Sequence, residues 1–526
     1  MAETAVRQRT RYCPGEEQIA ISDAICFGRR RVNYPQCPGC QFNDDEKAAG
    51  ERQRVIAHGL VVQQRSAPMV DDVFRACDIR GVYPEPLNED LAWRIGFAAG
   101  TFLKSSLRGM DRSDIEMSRV VIGRDLRKSS RQIAAALIEG VRAGGVPVID
   151  IGLVDTPQLY FAVNHLKSCG GIQTTATRNA AEHIDFKICG RGGRPIGTET
   201  GLHDIRAIAT NTSRHDTRQE GELQQVDLAD AYRRFVLGFL DMPKHLKVVV
   251  DASNGVAGRW LPIIFGDLEA LTIDALNFEP GGESGPDPDP FVPAGLQRMR
   301  DRVLETGADL GVCFDGDADR CILVDEKAEI IACDLLTALL AGYFLKKKPG
   351  ATIVHDLRSS RIVSETILRA GGTPQRSRVG PAFMKKMAVE RQAVFGGELS
   401  GHYYFQDNGY GDSGLLAFVH TLNVRSQSDL PISDLIAPYR KYAASGEQNF
   451  INKDKDGAIE QLGRLYETAK VDFLDGVTVQ HPEWWFNVRK SSTEPLLRLN
   501  LEANTPELLN QKLAEVAQHL GEAVAP

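Results

Sequence analysis

The sequence predicts an α/β protein with three related α/β domains and a C-terminal α+β domain, preceded by a cysteine-containing extension. Three observations predict this class. A chain of 526 residues is too long for one ordinary hydrophobic core. An order of strand, loop, helix and strand recurs three times along it. The last part of the chain has a different pattern of strands followed by one amphipathic helix, which is typical of a smaller α+β module.

The composition is that of a globular enzyme without a membrane or nucleic-acid partner. Hydrophobic residues make up 42% and charged residues 25% of the chain, and the net charge is −8. An acidic protein that binds an anionic substrate must gather arginine and lysine locally. The beginning of the chain has no secretory pattern, and the longest apolar run, residues 335–345, is too short to cross a bilayer. We therefore expect a cytoplasmic protein in which this run forms a buried helix.

Residues 1–70 are predicted to be an extension with its own role. Cys13, Cys26, Cys37 and Cys40 all fall within it, the last two as "CPGC". Four thiolates, two of them on one tight turn, fit a tetrahedral Zn²⁺ site. The alternative is a flexible extension with incidental cysteines. Such an appendage also suits recruitment of a protein partner. The other cysteines are expected to be reduced core thiols: Cys77, Cys169, Cys189, Cys313, Cys321 and Cys333.

The repeat defines the domains. Residues 120–152 read as strand, loop, helix and strand, with the helix capped at Ser129 or Ser130; residues 246–266 and 352–380 repeat this order. We expect mainly parallel sheets, with ligands gathered at the loops beyond the strand ends. The predicted domains are 71–222, 223–330, 331–442 and 443–526.

The stretch "DLGVCFDGDADRCILVDE" carries the strongest chemical signal. Asp315, Asp317 and Asp319 alternate on a loop between two apolar strands, and such carboxylates can converge on Mg²⁺ while leaving positions open for a phosphate oxygen. A calcium EF-hand loop ending at Glu326 is a competing interpretation. It is opposed by Arg320, which stands where that loop needs glycine. The third interpretation is a solvated acidic turn.

Two further loops suit recognition of a phosphosugar. In "VFGGELSGHYYF", Glu398, Ser400 and His402 alternate on an extended segment and share one face, as recognition of sugar hydroxyls requires. The plainer alternative there is a glycine-rich hairpin. In "VRKSSTEPLLRLN", two guanidinium groups flank a hydroxyl-rich turn, which suits a phosphate dianion, although a capped turn with surface arginines would look similar. Its residues are Arg489, Ser491, Ser492, Thr493 and Arg498.

The stretch "GGIQTTATRNAAEHIDFKICG", residues 170–190, contains the candidate phosphate carrier. Thr177 offers a hydroxyl, Arg178 and Lys187 offer cations, and the three-aspartate loop offers a metal. Taken alone, "TTATRN" is equally a plain polar turn.

These motifs in this order resemble the α-D-phosphohexomutase superfamily, particularly its phosphomannomutase/phosphoglucomutase members. The resemblance rests on "FRACDIRG", "VIGRDLRKSS", "DTPQLYF", "DGDADR", "GGELSGHYYF" and "RKSSTEPLLR". It implies four domains around a central cleft. It also implies interconversion of hexose 1-phosphate and hexose 6-phosphate, of mannose or glucose, through an enzyme-bound phosphate and a bisphosphate intermediate. A hexose 1,6-bisphosphate is then the primer and Mg²⁺ the cofactor.

The resemblance also implies a role for each site residue. Asp315, Asp317 and Asp319 hold Mg²⁺, to which Thr177 is joined through its phosphate. Arg80, Arg320 and Lys187 surround the transferring phosphate, with Lys187 the candidate acid-base. The remaining residues bind substrate, through the sugar hydroxyls at Glu398, Ser400 and His402 and through the non-reacting phosphate at Arg489, Ser491, Ser492, Thr493 and Arg498.

The carrier loop departs from the superfamily pattern. Where relatives have Thr-Ala-Ser-His-Asn-Pro, residues 175–180 read Thr-Ala-Thr-Arg-Asn-Ala. Thr177 keeps the hydroxyl but has restricted χ1 rotation, and Arg178 replaces a proton-transfer partner with a fixed charge. Two hypotheses follow. The chain is an active mutase that uses phosphothreonine, or it is a phosphosugar-binding homologue without turnover in which Arg178 holds the anion.

Overall fold

The computed structural model describes residues 11–12, 20–21, 70–75, 78–107, 118–175, 182–216, 220–279, 293–491 and 494–524. The strands β1 (Arg11–Tyr12) and β2 (Ala20–Ile21) pair antiparallel. Several predicted residues lie outside the described ranges: Cys13, Cys26, Cys37, Cys40, Cys77, Thr177, Arg178, Ser492 and Thr493.

The first domain has a six-stranded sheet in the order β3-β7-β6-β4-β5-β8, in which β6, β4, β5 and β8 are parallel and β7 is antiparallel to both of its neighbours, β6 and β3. Its elements are β3 (Ile79–Val82), α1 (Glu89–Ser105), β4 (Val120–Arg124), α2 (Lys128–Ala143), β5 (Val148–Leu153), α3 (Thr156–His165), β6 (Gly170–Thr175), β7 (His183–Gly190), α4 (Leu202–Thr210) and β8 (Leu223–Gln225).

The second domain has a five-stranded sheet in the order β10-β9-β11-β12-β13, parallel from β10 to β11 and antiparallel beyond. Its elements are α5 (Ala229–Leu237), β9 (Leu246–Asp251), α6 (Ala257–Phe265), β10 (Leu271–Leu276), α7 (Pro293–Thr306), β11 (Leu310–Phe314), β12 (Cys321–Asp325) and β13 (Ile330–Ile331).

The third domain has a four-stranded sheet in the order β15-β14-β16-β17, with β17 antiparallel to β16. Its elements are α8 (Cys333–Lys347), β14 (Thr352–Asp356), α9 (Arg361–Arg369), β15 (Thr373–Ser377), α10 (Pro381–Glu390), β16 (Phe395–Gly397), β17 (Tyr403–Phe405), α11 (Gly414–Ser426) and α12 (Ile432–Ile436). The apolar run 335–345 lies within α8 and is mostly buried, as predicted.

The fourth domain is an antiparallel six-stranded sheet in the order β19-β20-β21-β22-β18-β23. Its elements are β18 (Ala443–Ile451), α13 (Lys455–Leu465), β19 (Lys470–Asp472), β20 (Val477–Gln480), β21 (Trp484–Lys490), β22 (Leu496–Ala503), α14 (Pro506–Ala517) and β23 (Glu522–Val524). The predicted strands followed by one helix are therefore present, and so is the predicted α+β class.

Most neighbouring strands are parallel in the first and third α/β sheets, as expected, whereas the second has two parallel and two antiparallel pairs. In each, the central parallel strands end in an antiparallel hairpin: β6–β7, β11–β12 and β16–β17. The fourth domain adds the hairpin β21–β22. Each of the four predicted functional loops connects the two strands of one of these hairpins.

One local prediction is wrong. Helix α2 begins at Lys128, before either predicted capping serine, and the residue preceding it, Arg127, makes no side-chain cap. The Ser130 hydroxyl donates to Asp125 Oδ1, which also accepts from the Arg127 backbone N–H at 3.1 Å. Asp125 therefore organises this loop, and the Ser130 hydroxyl donates a hydrogen bond to it instead of capping the helix.

The hydrophobic cores show how the domains are joined. One continuous core includes Leu159 of the first domain, Val312 of the second and Phe418 of the third. A separate core contains residues of the fourth domain only, among them Leu462, Phe486 and Leu499. The first three domains thus share a core, whereas the fourth has its own.

The described cysteines are buried, as expected for reduced core thiols: Cys169, Cys189, Cys313, Cys321 and Cys333. Within the described ranges, every helix is too short or too polar to span a bilayer.

Candidate functional site

The three predicted metal ligands meet at the turn between β11 and β12. Asp315, Asp317 and Asp319 are each at most 1% exposed, and one oxygen of each lies within 4.8 Å of the others. The strands on either side are buried throughout, and Ala318 has a left-handed φ of 57° that closes the turn. The fold therefore holds three carboxylates together in the interior.

The chemistry of this cluster fits a divalent cation. Asp317 Oδ1 and Asp319 Oδ1 are buried, and neither has a hydrogen-bond donor within the part of the chain that the structure describes. Buried polar atoms are nearly always satisfied, so such oxygens indicate a ligand. Burial raises the pKa of Asp315 to about 7, although Arg320 opposes it. Burial acts in the same direction on Asp319, but Lys187, His402 and Arg320 hold the pKa of that carboxyl well below its usual range.

The geometry excludes the EF-hand interpretation. Leu310 pairs with Asp325 at one end of the β11–β12 hairpin, whereas Phe314 pairs with Cys321 at the other end, beside the aspartates. Glu326 follows Asp325 and so lies at the wrong end of the hairpin. Its carboxylate instead accepts from the backbone N–H of Ser433 at 3.1 Å and from its hydroxyl at 2.5 Å.

Lys187 brings the first domain to this cluster. It lies on β7, where it pairs with Gln173 of β6, and its Nζ donates to Asp317 Oδ2 at 2.7 Å and to Asp319 Oδ2. Burial lowers the pKa of Lys187, but the surrounding carboxylates outweigh it and raise the pKa well above the usual value. Lys187 is therefore a fixed cation in this structure.

Arg80 lies on β3, the edge strand of the same sheet, next to β7. It pairs with Asp185 across β3 and β7, and its guanidinium binds Asp185 at 2.9 Å and Asp78 at 3.0 Å. Asp185 in turn pairs with Thr175, the last residue of β6, from which the loop carrying Thr177 departs. The strand register thus places Arg80 next to the start of the candidate carrier loop.

Arg320 and the predicted sugar loop connect the second and third domains. Arg320 Nε donates to Asp315 Oδ2 at 2.7 Å, and its backbone forms a β-bridge with His402. His402 Nε2 lies 3.6 Å from Asp319 Oδ1. The metal loop and the sugar loop are therefore in direct contact.

The three predicted side chains of the sugar loop lie together, but on a turn rather than on the predicted extended segment, because Gly401 donates its backbone N–H to the carbonyl of Glu398 at 3.0 Å. Ser400 Oγ lies 3.3 Å from Glu398 Oε2 and 3.0 Å from His402 Nδ1. Glu398 is 1% exposed, and its other oxygen accepts from the Tyr404 hydroxyl. A carboxylate held in this way keeps a fixed orientation, as recognition of a sugar hydroxyl requires.

The predicted phosphate anchor is a cluster of arginines around one carboxylate. Glu447 accepts from Arg489 Nη2 at 2.9 Å, from Arg498 Nη1 at 2.7 Å and from Arg358 Nη1 at 3.4 Å. Although Glu447 is largely buried, the three guanidinium groups lower its pKa to about 2. Ser491 follows β21 directly and donates its backbone N–H to the carbonyl of Leu496 at 2.9 Å. The anchor loop is thus built on a carboxylate that sequence reasoning did not predict.

Sequence reasoning also missed contacts that join the first domain to the second and third domains near the site. Lys385 Nζ donates to the Tyr160 hydroxyl at 2.7 Å and lies 2.9 Å from Asp412 Oδ1, which links the third domain to the first. Thr156 donates its backbone N–H to the carbonyl of Asp317 at 3.1 Å. Thr156 and Tyr160 belong to the stretch "DTPQLYF", but no local pattern indicates the partners that they contact. For Arg358, the available signal was the recurrence of Asp-Leu-Arg-x-Ser-Ser/Arg, which places it in the position of Arg127.

Comparison with known proteins agrees with this arrangement. Family sequence models for phosphoglucomutase/phosphomannomutase match four successive segments: alpha/beta/alpha domain I at residues 71–216, domain II at 231–328, domain III at 333–442 and the C-terminal domain at 447–519.

Curated proteins and solved structures are similar over most of the chain. A phosphomannomutase of Escherichia coli K12 is 37% identical over 445 residues, which are 82% of this chain and 94% of that protein. Phosphohexose mutases of Xanthomonas campestris are 36% identical over 454 residues, 85% of this chain and 98% of theirs. The crystal structure of a phosphoglucomutase/phosphomannomutase family protein from Burkholderia thailandensis aligns with a TM-score of 0.77 at 30% identity, covering 85% of this chain and 96% of that one.

Proposed function

Because this chain belongs to the phosphoglucomutase/phosphomannomutase family, we propose that it is a phosphohexose mutase that carries the transferring phosphate on Thr177. The observation that supports this most directly is the convergence of the metal loop, Lys187 and the sugar loop at one point. Lys187 contacts Asp317 and Asp319, and His402 lies beside Asp319.

Thr177 is the proposed carrier because its loop connects β6 to β7, the strand from which Lys187 contacts the metal loop. The loop leaves β6 at Thr175 and returns into β7, the strand that carries both Asp185 and Lys187. In one half of the reaction, the phosphothreonine P–O bond breaks and a bond forms between phosphorus and a hydroxyl oxygen of the hexose monophosphate. The hydroxyl proton leaves as that bond forms, and the threonine oxygen gains a proton. The second half returns the other phosphate to Thr177.

The proposed roles of the described residues follow from their charge. Asp315, Asp317 and Asp319 are the proposed ligands of Mg²⁺, which supplies neutralisation of phosphate charge when bound. Arg80, Arg320 and Lys187 provide cations around the transferring group, which stabilise the charge that develops on its oxygens. Lys187 also remains the candidate for the proton on the threonine oxygen, within a positively charged setting completed by Arg178.

The substrate class is a hexose monophosphate. Glu398, Ser400 and His402 are proposed to orient the sugar hydroxyls, and Arg489, Ser491, Ser492, Thr493 and Arg498 to hold the phosphate that is not being transferred. Bidentate guanidinium contacts suit a phosphate that must be held without reacting. Mannose and glucose phosphates are the proposed substrates, since relatives are named phosphomannomutase and phosphohexose mutase, and a hexose 1,6-bisphosphate is the proposed primer.

The non-catalytic alternative is not favoured by any described residue. A binding protein that has lost turnover has no need for buried, unsatisfied carboxylate oxygens beside the sugar loop, and these are retained here.

The four cysteines of the extension stay a prediction of a Zn²⁺ site, tested by metal analysis of the full chain and of a variant with all four replaced by serine.

The deciding experiment is tandem mass spectrometry of the tryptic peptide Ser168–Arg178 after incubation of the protein with Mg²⁺ and glucose 1,6-bisphosphate. We expect phosphate on Thr177, and turnover of glucose 1-phosphate or mannose 1-phosphate that is lost in Thr177→Ala and kept in Thr177→Ser. A peptide phosphorylated at Thr174 or Thr175 instead, or turnover undiminished in Thr177→Ala, contradicts the proposal. An unmodified peptide together with bound bisphosphate would establish the non-catalytic alternative.

A further inference from the structure

A β-bulge in β18 places Glu447 at the phosphate anchor. Ala444 pairs with Glu502 of β22, and Glu447 pairs with Asn500, so β18 has one more residue than β22 between these two pairs. Without that extra residue, Gly446, which has a left-handed φ of 65°, would stand opposite Asn500. Bulges change the direction of a side chain and are frequent next to active sites. The position of Glu447 is therefore a specific feature of this strand.

The anchor brings positive charges close together. Arg489 and Arg498 stand directly opposite each other on β21 and β22, and Arg358 reaches the same place from the third domain. Like charges directly opposite on neighbouring strands destabilise a sheet. Burial and the guanidinium group of Arg358 lower the pKa of Arg489, as repulsion between like charges requires. The cluster therefore needs a nearby anion.

Glu447 supplies that anion. It contacts the guanidinium groups of Arg498, Arg489 and Arg358 at 2.7, 2.9 and 3.4 Å. Arg358 and Arg498 each have a further carboxylate partner, Asp356 and Glu494 respectively. Among the residues that the structure describes, Glu447 is the only ion-pair partner of Arg489. The charge balance of Arg489 thus depends on Glu447.

The same arginines have donors that Glu447 does not use. Arg489 Nε and Arg498 Nε are buried, and neither has a hydrogen-bond acceptor within the described part of the chain. Arg489 is 4% exposed. Because buried donors are nearly always paired, these two indicate an anionic ligand on the guanidinium groups that Glu447 already contacts. A bound phosphate and Glu447 therefore share the same arginines.

The proposed mutase reaction requires an anchor that releases its phosphate. Both phosphates of the bisphosphate intermediate reach Thr177 in turn, so the one held at the anchor in the first half must leave it before the second. Binding that is equally strong throughout a reaction does not accelerate it. Three uncompensated arginines would hold a dianion tightly and delay the exchange. A carboxylate that contacts the arginines as the phosphate leaves replaces the lost hydrogen bonds.

We propose that Glu447 is an internal counter-anion, which competes with the substrate phosphate for Arg358, Arg489 and Arg498 and so permits the two phosphates of the intermediate to exchange at the anchor. This inference rests on the proposed mutase function. It assigns to Glu447 the setting of phosphate affinity, whereas the arginines hold the phosphate itself. Arg358 also lies 3.7 Å from Glu398, so one guanidinium group connects this competition to the sugar loop.

The binding test is isothermal titration calorimetry of glucose 6-phosphate with the full chain carrying Thr177→Ala, which transfers no phosphate. Adding Glu447→Gln removes the charge and keeps the size, and the Kd should fall at least about tenfold because the phosphate no longer displaces charge-assisted contacts. Glu447→Asp keeps the charge and should lower the Kd less than Glu447→Gln does. Arg489→Met should raise the Kd, which shows that the measured affinity belongs to the anchor.

Steady-state kinetics with Thr177 present tests the effect on exchange. In Glu447→Gln we expect KM and kcat to fall together, because substrate and intermediate are both held more tightly. A residue that only orients the arginines would instead raise KM when it is replaced. The matched control is Glu460→Gln, an exposed carboxylate of α13 that pairs with Arg464 on the surface of the same domain and should keep the Kd, KM and kcat of the parent.

Two results overturn the proposal. A Kd in Glu447→Gln that is equal to or higher than that of its parent means that Glu447 only orients the arginines. An undiminished kcat at a lowered KM means that release from the anchor does not depend on Glu447. Failure of the mutase function is seen separately, as absence of turnover in the wild type. The Kd comparison uses no turnover, and in that case it alone decides whether Glu447 competes with phosphate.

Discussion

Lys187 of the first domain donates from Nζ to Asp317 Oδ2 of the second at 2.7 Å. The same ammonium group also binds Asp319, so one cation joins two of the three carboxylates on the metal loop. This contact fixes the hairpin that carries Thr177 against the hairpin that carries the metal ligands. The first and second domains are therefore joined at the three-aspartate loop by a single ion-pair cluster.

Lys187→Met is expected to reduce kcat/KM for glucose 1-phosphate by about 100-fold or more, because a preorganised cation beside the transferring phosphate is removed. Steady-state kinetics measures this, and circular dichroism checks that the fold is kept. The matched control is Lys346→Met, an exposed lysine in the last turn of α8, which should leave kcat/KM unchanged. Equal activity of the two variants would show that Lys187 has only a structural role.

Mg²⁺ is expected to raise the melting temperature of the wild type, because a ligand that binds only the folded state stabilises it. The increase should disappear in Asp317→Asn, where a proposed ligand is lost, and chelation should abolish turnover. Differential scanning fluorimetry with and without Mg²⁺ measures the shift.

Glu326→Gln provides the control for the metal site. This carboxylate lies at the far end of the β11–β12 hairpin and binds Ser433, so the shift with Mg²⁺ should be the same as in the wild type. Loss of the shift in Glu326→Gln, or its persistence in Asp317→Asn, would contradict the assignment of the ligands.

Lys385→Met is expected to destabilise the protein by about 3–5 kcal/mol, since removal of one partner of a buried ion pair leaves the other charge unpaired. Lys385 and Asp412 are 3% and 1% exposed, and Lys385 also binds the Tyr160 hydroxyl. The neighbouring Lys386, paired with Glu199 on the surface, gives the control: Lys386→Met should change stability by less than about 1 kcal/mol. Urea unfolding of the two variants compares them.

The Lys385→Met/Asp412→Asn double variant then separates the charge from the packing. It should recover part of the lost stability, because the unpaired carboxylate is no longer present. A double variant less stable than Lys385→Met would mean that the ion pair is not the origin of the effect.

Stability is expected to fall as the pH drops from about 6.5 toward 3, in part because of His420. Burial among aromatic rings lowers the pKa of His420 to about 3. Below its unfolded-state pKa of about 6.5 the unfolded chain binds a proton that the folded chain does not, so His420 reduces stability as pH falls.

His420→Phe removes that proton and should flatten the dependence by about 1.4 kcal/mol per pH unit within this window. Melting temperatures at pH 7 and pH 5 for wild type and variant measure the difference. His203→Phe, at an exposed position, should keep the wild-type slope. Parallel slopes for wild type and His420→Phe would refute the role of His420.

The sequence by itself determined which side chains each functional loop brings together, because these side chains are close neighbours in sequence. The carboxylates of "DGDADR" are alternate residues of one hairpin turn, and Glu398, Ser400 and His402 are alternate residues of another, so each set is brought together by a turn of only a few residues. The recurring strand-loop-helix order likewise determined the α/β class and the site at the strand ends. The cap of α2 was mispredicted because Asp125, five residues before Ser130, competes for its hydroxyl.

Tertiary structure alone decided which residues complete those loops. Glu447 holds Arg358, Arg489 and Arg498, and Lys385 reaches Tyr160 across 225 positions of sequence. A contact between residues so far apart depends on how domains pack, and no local period encodes it. The cavity that His355 and Trp485 both line has the same origin, because these two residues become neighbours only when the sheet of the third domain faces the sheet of the fourth.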